Sequence, residues 1–134
     1  MIKQKNKKLK TIFCGTPEFA LPVLKKLQKT PWIEICCVVT APDKPAGRGQ
    51  NLCSPPVKKL AQSLGLPILQ PIKLKKALSR FYFLQPEIIV VAAYGKIFPQ
   101  ELLEMPFYGC LNLHPSLLPK YRGPSPIQFA LLNG

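Results

Sequence analysis

The 134-residue sequence predicts an α/β fold built on a doubly wound, mostly parallel sheet. Runs of β-branched apolar residues alternate with amphipathic segments, which is the pattern of repeated βαβ units with right-handed crossovers. The segment 87–95 (EIIVVAAYG) is continuously apolar, as expected of a strand covered on both faces of a sheet. A doubly wound sheet usually has a sixth strand. The sequence predicts only five, so we expect the sheet to be incomplete at its C-terminal end.

The first half of the chain predicts two strands and two helices. A strand over 10–16 closes on Gly-Thr-Pro, and Thr16 is placed as the N-cap of the next helix, ahead of a proline at the first helical position. A β-branched strand covers 33–41 between two prolines. A helix follows over 55–64, with Gly65 as its C-terminal cap.

The second half predicts three more strands, separated by shorter helices. The strands cover 67–71, 87–95 and 109–114, with a basic amphipathic helix near 73–84, a short helix over 99–104 and the start of another over 125–132. Residues 1–10 are predicted to be a basic tail, and 11–134 to be one domain.

The charge of the chain indicates a class of partner. Lys and Arg number 19 against 6 Asp and Glu, a formal charge of +13 that attracts polyanions. Nucleic acid is the leading candidate, ahead of an anionic membrane surface or a small anionic substrate. A solvated, lysine-rich surface with no partner is the alternative.

Several classes of protein are excluded by the sequence. The longest aliphatic stretch, 88–93, is far shorter than the ~20 residues of a membrane helix, and no signal peptide follows the lysine-rich start. None of the five cysteines forms a C-x-x-C pair, so we expect no metal and reduced thiols in a cytoplasmic protein. The turn after the first strand has one glycine where a dinucleotide fingerprint needs three, and no phosphate-binding P-loop occurs.

Two polar side chains at the end of the fifth strand are the candidate catalytic groups. The strand reads Leu-Asn-Leu-His, and its period of two puts Asn112 and His114 on the same face. Ligands of open α/β sheets bind beyond the carboxyl ends of the strands. An amide and an imidazole placed there stabilise an oxyanion, and the imidazole also moves a proton near neutral pH. The alternative is a loop-capping asparagine beside a structural histidine.

The segment 111–128 (LNLHPSLLPKYRGPSPIQ) resembles the folate-dependent formyltransferases, with their N-x-H and S-L-L-P-x-x-R-G motifs. The segments 13–24 (FCGTPEFALPVL) and 40–49 (TAPDKPAGRG) narrow the resemblance to the methionyl-tRNA formyltransferase family. The resemblance runs from about residue 11 to the end, and it implies a Rossmann-like formyltransferase fold.

The resemblance implies that 10-formyltetrahydrofolate is the co-substrate and initiator methionyl-tRNA the acceptor, in translation initiation. Asn112 and His114 are then catalytic. The implied folate-binding residues are Ser116, Leu117, Leu118, Pro119, Tyr94 and Gly95. The loop 42–52 resembles the family's tRNA-contacting insertion, in which glycines give flexibility and Lys44 and Arg48 are the candidate phosphate contacts.

One departure from the family is severe. Its third catalytic residue is an aspartate downstream of the R-G motif, whereas the only aspartate of this sequence is Asp43. The family's sixth strand and C-terminal tRNA-binding domain have no counterpart either. We therefore expect these 134 residues to be a truncated piece of a monomeric enzyme, inactive or nearly so alone.

Two other functions stay open. One is a formyltransferase acting on glycinamide ribonucleotide or a sugar-nucleotide amine with the same N-x-H pair. The other is a basic nucleic-acid-binding fragment with no chemistry. The A-G-R-G loop argues against the first.

Overall fold

The structure, a computed structural model, describes residues 7–113. As the sequence predicts, five strands form a parallel sheet; numbered along the chain, with β3 and β4 in a separate hairpin, they lie in the order β5-β2-β1-β6-β7. Its strands are β1 (Leu9–Gly15), β2 (Ile33–Val39), β5 (Ile68–Leu69), β6 (Ile88–Ala92) and β7 (Cys110–Leu113). The predicted helix over 125–132 lies outside the described residues.

A helix pair covers each face of the sheet. The helices are α1 (Leu21–Lys29), α2 (Pro56–Ser63), α3 (Leu78–Leu84) and α4 (Gln100–Glu104). Because side chains alternate along β1, Phe13 packs with Leu24 of α1 and Val57 of α2, whereas Ile12 packs with Phe81 of α3 and Leu102 of α4. The helices on both faces confirm the doubly wound class.

Two helices begin differently from the prediction. A 3-10 turn, Glu18–Ala20, precedes α1, so this helix begins at Leu21 rather than Pro17, whose backbone is extended. The basic segment near 73–84 likewise opens as a 3-10 turn, Leu74–Ala77, before α3.

The boundary predicted after residue 10 falls inside β1. Leu9 pairs with Ile33 of β2, and the Lys10 amide donates to Oε1 of Glu87 at 2.8 Å. The other oxygen of this carboxylate lies 3.2 Å from Nζ of Lys7. The sheet therefore begins within the segment predicted to be a tail.

Gly15 ends β1 where the chain has no room for a side chain. A Cβ at this position would lie 2.8 Å from the carbonyl oxygen of Ala92 and 2.9 Å from Cβ of Ala20. The ring of Phe13 would be 3.0 Å away. Glycine at this position lets β1, β6 and the turn before α1 approach one another.

The cysteines of the described residues are free thiols. Cys14 and Cys37 are buried, and Cys53 is exposed. Burial raises the pKa of the Cys14 thiol well above its usual value, and it raises the pKa of Cys37 to about 12. Across residues 7–113 no helix has the length and apolarity needed to cross a membrane.

Candidate active site at the carboxyl end of the sheet

The strand order changes direction between β1 and β6, because the sheet grows through β2 on one side and through β7 on the other. Open parallel sheets bind ligands at such a switch point, beyond the carboxyl ends of the strands. The residues that follow β1, β2, β5 and β6 meet at this end of the sheet, and their hydrogen bonds define the local geometry.

Thr16 joins three of these strands and does not cap a helix. Its hydroxyl lies 3.5 Å from the carbonyl oxygen of Tyr94, beyond β6, and accepts a bond from the Ala41 amide, beyond β2, at 3.3 Å. The Thr16 carbonyl accepts from the amide of Val57 in α2 at 3.2 Å. The predicted N-cap role is therefore wrong, because the 3-10 turn starts after Pro17 and no side chain caps it.

Gln70 extends this network to β5. Its amide nitrogen donates to the carbonyl of Ala41 at 3.0 Å and to Oδ1 of Asp43 at 2.7 Å. Lys58 of α2 holds the same carboxylate, with Nζ 3.1 and 2.9 Å from its two oxygens. The bonds from Gln70 and Lys58 lower the pKa of the Asp43 carboxyl. The segment after β2 is thereby fixed at its first residues.

Asp43 stands at the base of an antiparallel hairpin, β3 (Lys44–Ala46) and β4 (Asn51–Cys53), where a flexible loop was predicted. Gly47 and Gly49 have φ of +69° and +86°, so they form the tight turn of the hairpin. Lys44 and Arg48 are exposed, as a phosphate contact requires.

The turn after β6 has an unusual backbone. Ala93 has φ of +54° and Gly95 has φ of +87°, so two of three consecutive residues are left-handed. The ring of Tyr94 is buried, with Phe98 edge-on to it at 6.2 Å. Burial raises the pKa of Tyr94 to about 12. The Tyr94 ring thus belongs to the core, whereas Ala93 and Gly95 on either side of it are exposed.

The Lys96 ammonium holds the segment that follows β5. Its Nζ donates to the carbonyl oxygens of Pro71 and Ile72 at 2.8 and 2.6 Å. Desolvation, and then the charge of Lys44, lower the pKa of Lys96. The segment after β5 is therefore tied to the segment after β6. Sequence reasoning missed Lys96, Gln70 and Lys58 because their hydrogen-bond partners are distant along the chain.

Asn112 lies in β7 opposite Val91 of β6, and it is exposed. Strand alternation puts it on the same face as Cys110, which packs toward α4, whereas Leu113 packs on the other face. His114 and the predicted folate residues 116–119 lie outside the described residues. The pairing of Asn112 with His114 therefore stays a prediction. Within residues 7–113 no group of three potential metal-ligating side chains occurs.

The topology and the sequence motifs agree with the comparisons. The chain belongs to the formyl transferase family, which matches residues 7–134. It is 56% identical over 125 residues to the methionyl-tRNA formyltransferase of Thermodesulfovibrio yellowstonii, covering 92% of this chain and 40% of the relative. It is 51% identical over 128 residues to that of Geobacter sulfurreducens, covering 94% and 40%. The chain spans about 40% of the length of these curated relatives.

Solved structures share the fold. Glycinamide ribonucleotide transformylase 1 of Geobacillus kaustophilus matches with a TM-score of 0.69 at 21% identity, covering 96% of this chain and 69% of that one. A formyltetrahydrofolate deformylase of Pseudomonas syringae pv. tomato matches with a TM-score of 0.69 at 21% identity, covering 98% and 43%. The predicted fold class and the resemblance to formyltransferases are confirmed.

Proposed function

We propose that the protein containing this chain transfers a formyl group from 10-formyltetrahydrofolate to the amino group of methionyl-initiator tRNA, in translation initiation. The observation that carries the proposal is the exposed Asn112 in β7, two residues before His114, at the carboxyl end of a doubly wound sheet. The names of the curated relatives support the acceptor. The name of the solved deformylase supports a folate donor.

In this proposal the amine of methionine attacks the formyl carbon, and a C–N bond forms while the carbonyl oxygen becomes an oxyanion. The Asn112 amide and the His114 imidazole donate hydrogen bonds to that oxygen. The bond from the formyl carbon to N10 of the folate then breaks, and the proton lost by the amine passes to N10 through the imidazole. Ser116, Leu117, Leu118, Pro119 and the 94–95 turn hold the folate.

Lys44 and Arg48 are proposed to contact tRNA phosphates. Both are exposed on the hairpin, and the adjacent carboxylate of Asp43 is neutralised by Lys58 at 2.9 Å. An Arg guanidinium bonds a phosphate through two parallel N–H groups. We propose a cytoplasmic, monomeric enzyme that needs no metal. Because Asp43 is the only aspartate, we expect the 134 residues alone to give little or no turnover.

The experiment is a chimera in which this chain replaces the matching 125 residues of the Thermodesulfovibrio relative. We expect the chimera to formylate methionyl-tRNA with 10-formyltetrahydrofolate. Asn112→Ala should lower kcat by about 10²–10³-fold without loss of tRNA binding. Gln28→Ala, a matched amide exposed on α1, should leave kcat unchanged.

Three results would contradict the proposal. A folded chimera that binds tRNA without formylating it indicates a binding fragment. Formylation of glycinamide ribonucleotide in preference to methionyl-tRNA indicates the other acceptor class. Full activity of Asn112→Ala removes the amide from the mechanism.

A further inference from the structure

Positive charge is concentrated in one half of the described chain. Between residues 35 and 86 the sequence has one acidic residue, Asp43, and eight basic ones. The basic residues are Lys44, Arg48, Lys58, Lys59, Lys73, Lys75, Lys76 and Arg80. Lys58 pairs with Asp43 at 2.9 Å, which leaves the other basic residues of this segment without an acidic residue of the same segment to offset them.

An open groove of about 440 Å³ lies within this segment, directly after β5. It is lined by Gln70, Pro71, Ile72, Lys73, Lys76 and Ala77. Lys73 and Lys76 are exposed, and the Lys76 amide bonds to the Lys73 carbonyl at 3.1 Å. Lys73 directly precedes the 3-10 turn Leu74–Ala77 and Lys76 lies within it, and both lysines line the groove.

The groove is connected to the hairpin by direct bonds. Gln70, in its wall, donates to Asp43 at the base of the hairpin at 2.7 Å. Lys96 holds the carbonyl oxygens of Pro71 and Ile72, and the charge of Lys44 lowers the pKa of this ammonium. Hydrogen bonds thus join the wall of the groove to the base of the hairpin and to the segment after β6.

We propose that this groove binds the phosphodiester backbone of the RNA whose end reaches the carboxyl end of the sheet, with Lys73 and Lys76 as its phosphate contacts. The inference rests on the proposed function, because it takes the acceptor to be a tRNA. Two exposed lysines that line one groove offer two positive charges to the phosphates of one strand. Contacts of this kind fix position and affinity without reading the base sequence.

The test is the binding of fluorescently labelled, uncharged initiator tRNA to the 134-residue chain, followed by anisotropy between about 50 and about 200 mM KCl. The double variant Lys73→Gln/Lys76→Gln should lower the slope of log affinity against log salt by about 2, since each lost phosphate contact lowers it by about 0.9. The affinity at about 100 mM KCl should fall roughly tenfold or more.

The matched control is Lys25→Gln/Lys26→Gln, which removes two exposed lysines from α1, on the other face of the sheet. It changes the net charge equally, so it should change the slope much less. Equal effects of the two double variants would show that net charge alone matters, and would overturn the proposal. Unfolding midpoints within about 2 °C of the parent chain exclude misfolding of the variants.

Further measurements distinguish failure of the groove proposal from failure of the proposed tRNA binding. If Arg48→Ala weakens tRNA binding and the groove variant does not, the groove proposal fails while tRNA binding by the hairpin survives. If the parent chain does not bind tRNA even at about 50 mM KCl, both fail. The last arm uses vesicles of phosphatidylcholine and phosphatidylserine. If the groove variant loses binding to these vesicles while its tRNA binding is unchanged, the groove belongs to a membrane-binding surface instead.

Discussion

The hydroxyl of Thr16, one residue beyond β1, lies 3.5 Å from the carbonyl oxygen of Tyr94, two residues beyond β6. These two strands flank the point where the strand order changes direction. The same hydroxyl accepts a hydrogen bond from the Ala41 amide, so one small side chain joins the segments that follow β1, β2 and β6.

Thr16→Val should destabilise the protein by roughly 1–2 kcal/mol, because the Ala41 amide loses its acceptor while the shape of the side chain is kept. Urea unfolding measures the change. Thr30→Val is the matched control, since the Thr30 hydroxyl bonds the Lys26 carbonyl at an exposed helix end. A smaller loss for Thr16→Val than for Thr30→Val would contradict the structural role.

Gly15→Ala should cost roughly 1–3 kcal/mol through overpacking, since the new Cβ would lie 2.8 Å from the backbone oxygen of Ala92. The comparison is Gly65→Ala, where φ is +70° and no atom lies within 4 Å. Gly65→Ala should lower the free energy of unfolding by about 1 kcal/mol, the cost of an alanine in the left-handed conformation. Equilibrium unfolding of the two variants should rank them in this order, and the reverse order would reject the close approach.

Asp43→Asn should destabilise the protein at about pH 6 and much less at about pH 3. The bonds from Gln70 and Lys58 lower the pKa of Asp43 in the folded state, so its contribution is present above the unfolded pKa and lost as pH falls through the folded one. Thermal unfolding midpoints at the two pH values measure this. Glu34→Gln, an exposed carboxylate of β2, is the control. A pH-independent difference between Asp43→Asn and the parent would exclude the carboxylate as the source.

Thiol labelling should separate the cysteines of the described residues. Cys53 is exposed on the hairpin and should react first with a disulfide reagent near neutral pH. Cys14 and Cys37 should stay unlabelled until denaturant is added, because burial raises the pKa of both thiols. Cys53→Ser should remove the fast phase, and its survival would mean that another cysteine is accessible.

The features that the sequence predicted correctly have local signals. The strand β6 and the end of α2 could be predicted from the apolar run and the glycine alone, without knowing which residues they contact. Gly65 has the expected φ of +70°, and the Leu66 amide donates to the Ala61 carbonyl at 3.0 Å. The hairpin was missed because β3 and β4 have only three residues each, too few to show an alternating pattern, and β3 contains Pro45.

The cross-links at the carboxyl end of the sheet had no local signal. Thr16 and Tyr94 are 78 positions apart, and Asp43 and Gln70 are 27 apart. Thr-Pro before an amphipathic segment is typical of a helix start, so spacing alone favoured the wrong role for Thr16. The candidate pair Asn112 and His114 came from strand period and resemblance, and only Asn112 falls within the described residues.

The left-handed turn after β6 also limits how its sequence should be compared with other formyltransferases. At φ of +54° and +87°, the first and third positions accept few residue types whatever is bound nearby. Identity at Ala93 and Gly95 in another protein therefore reports a common main-chain path before it reports a common co-substrate. Tyr94, whose ring is buried in the core, would report packing against its neighbours in the same way.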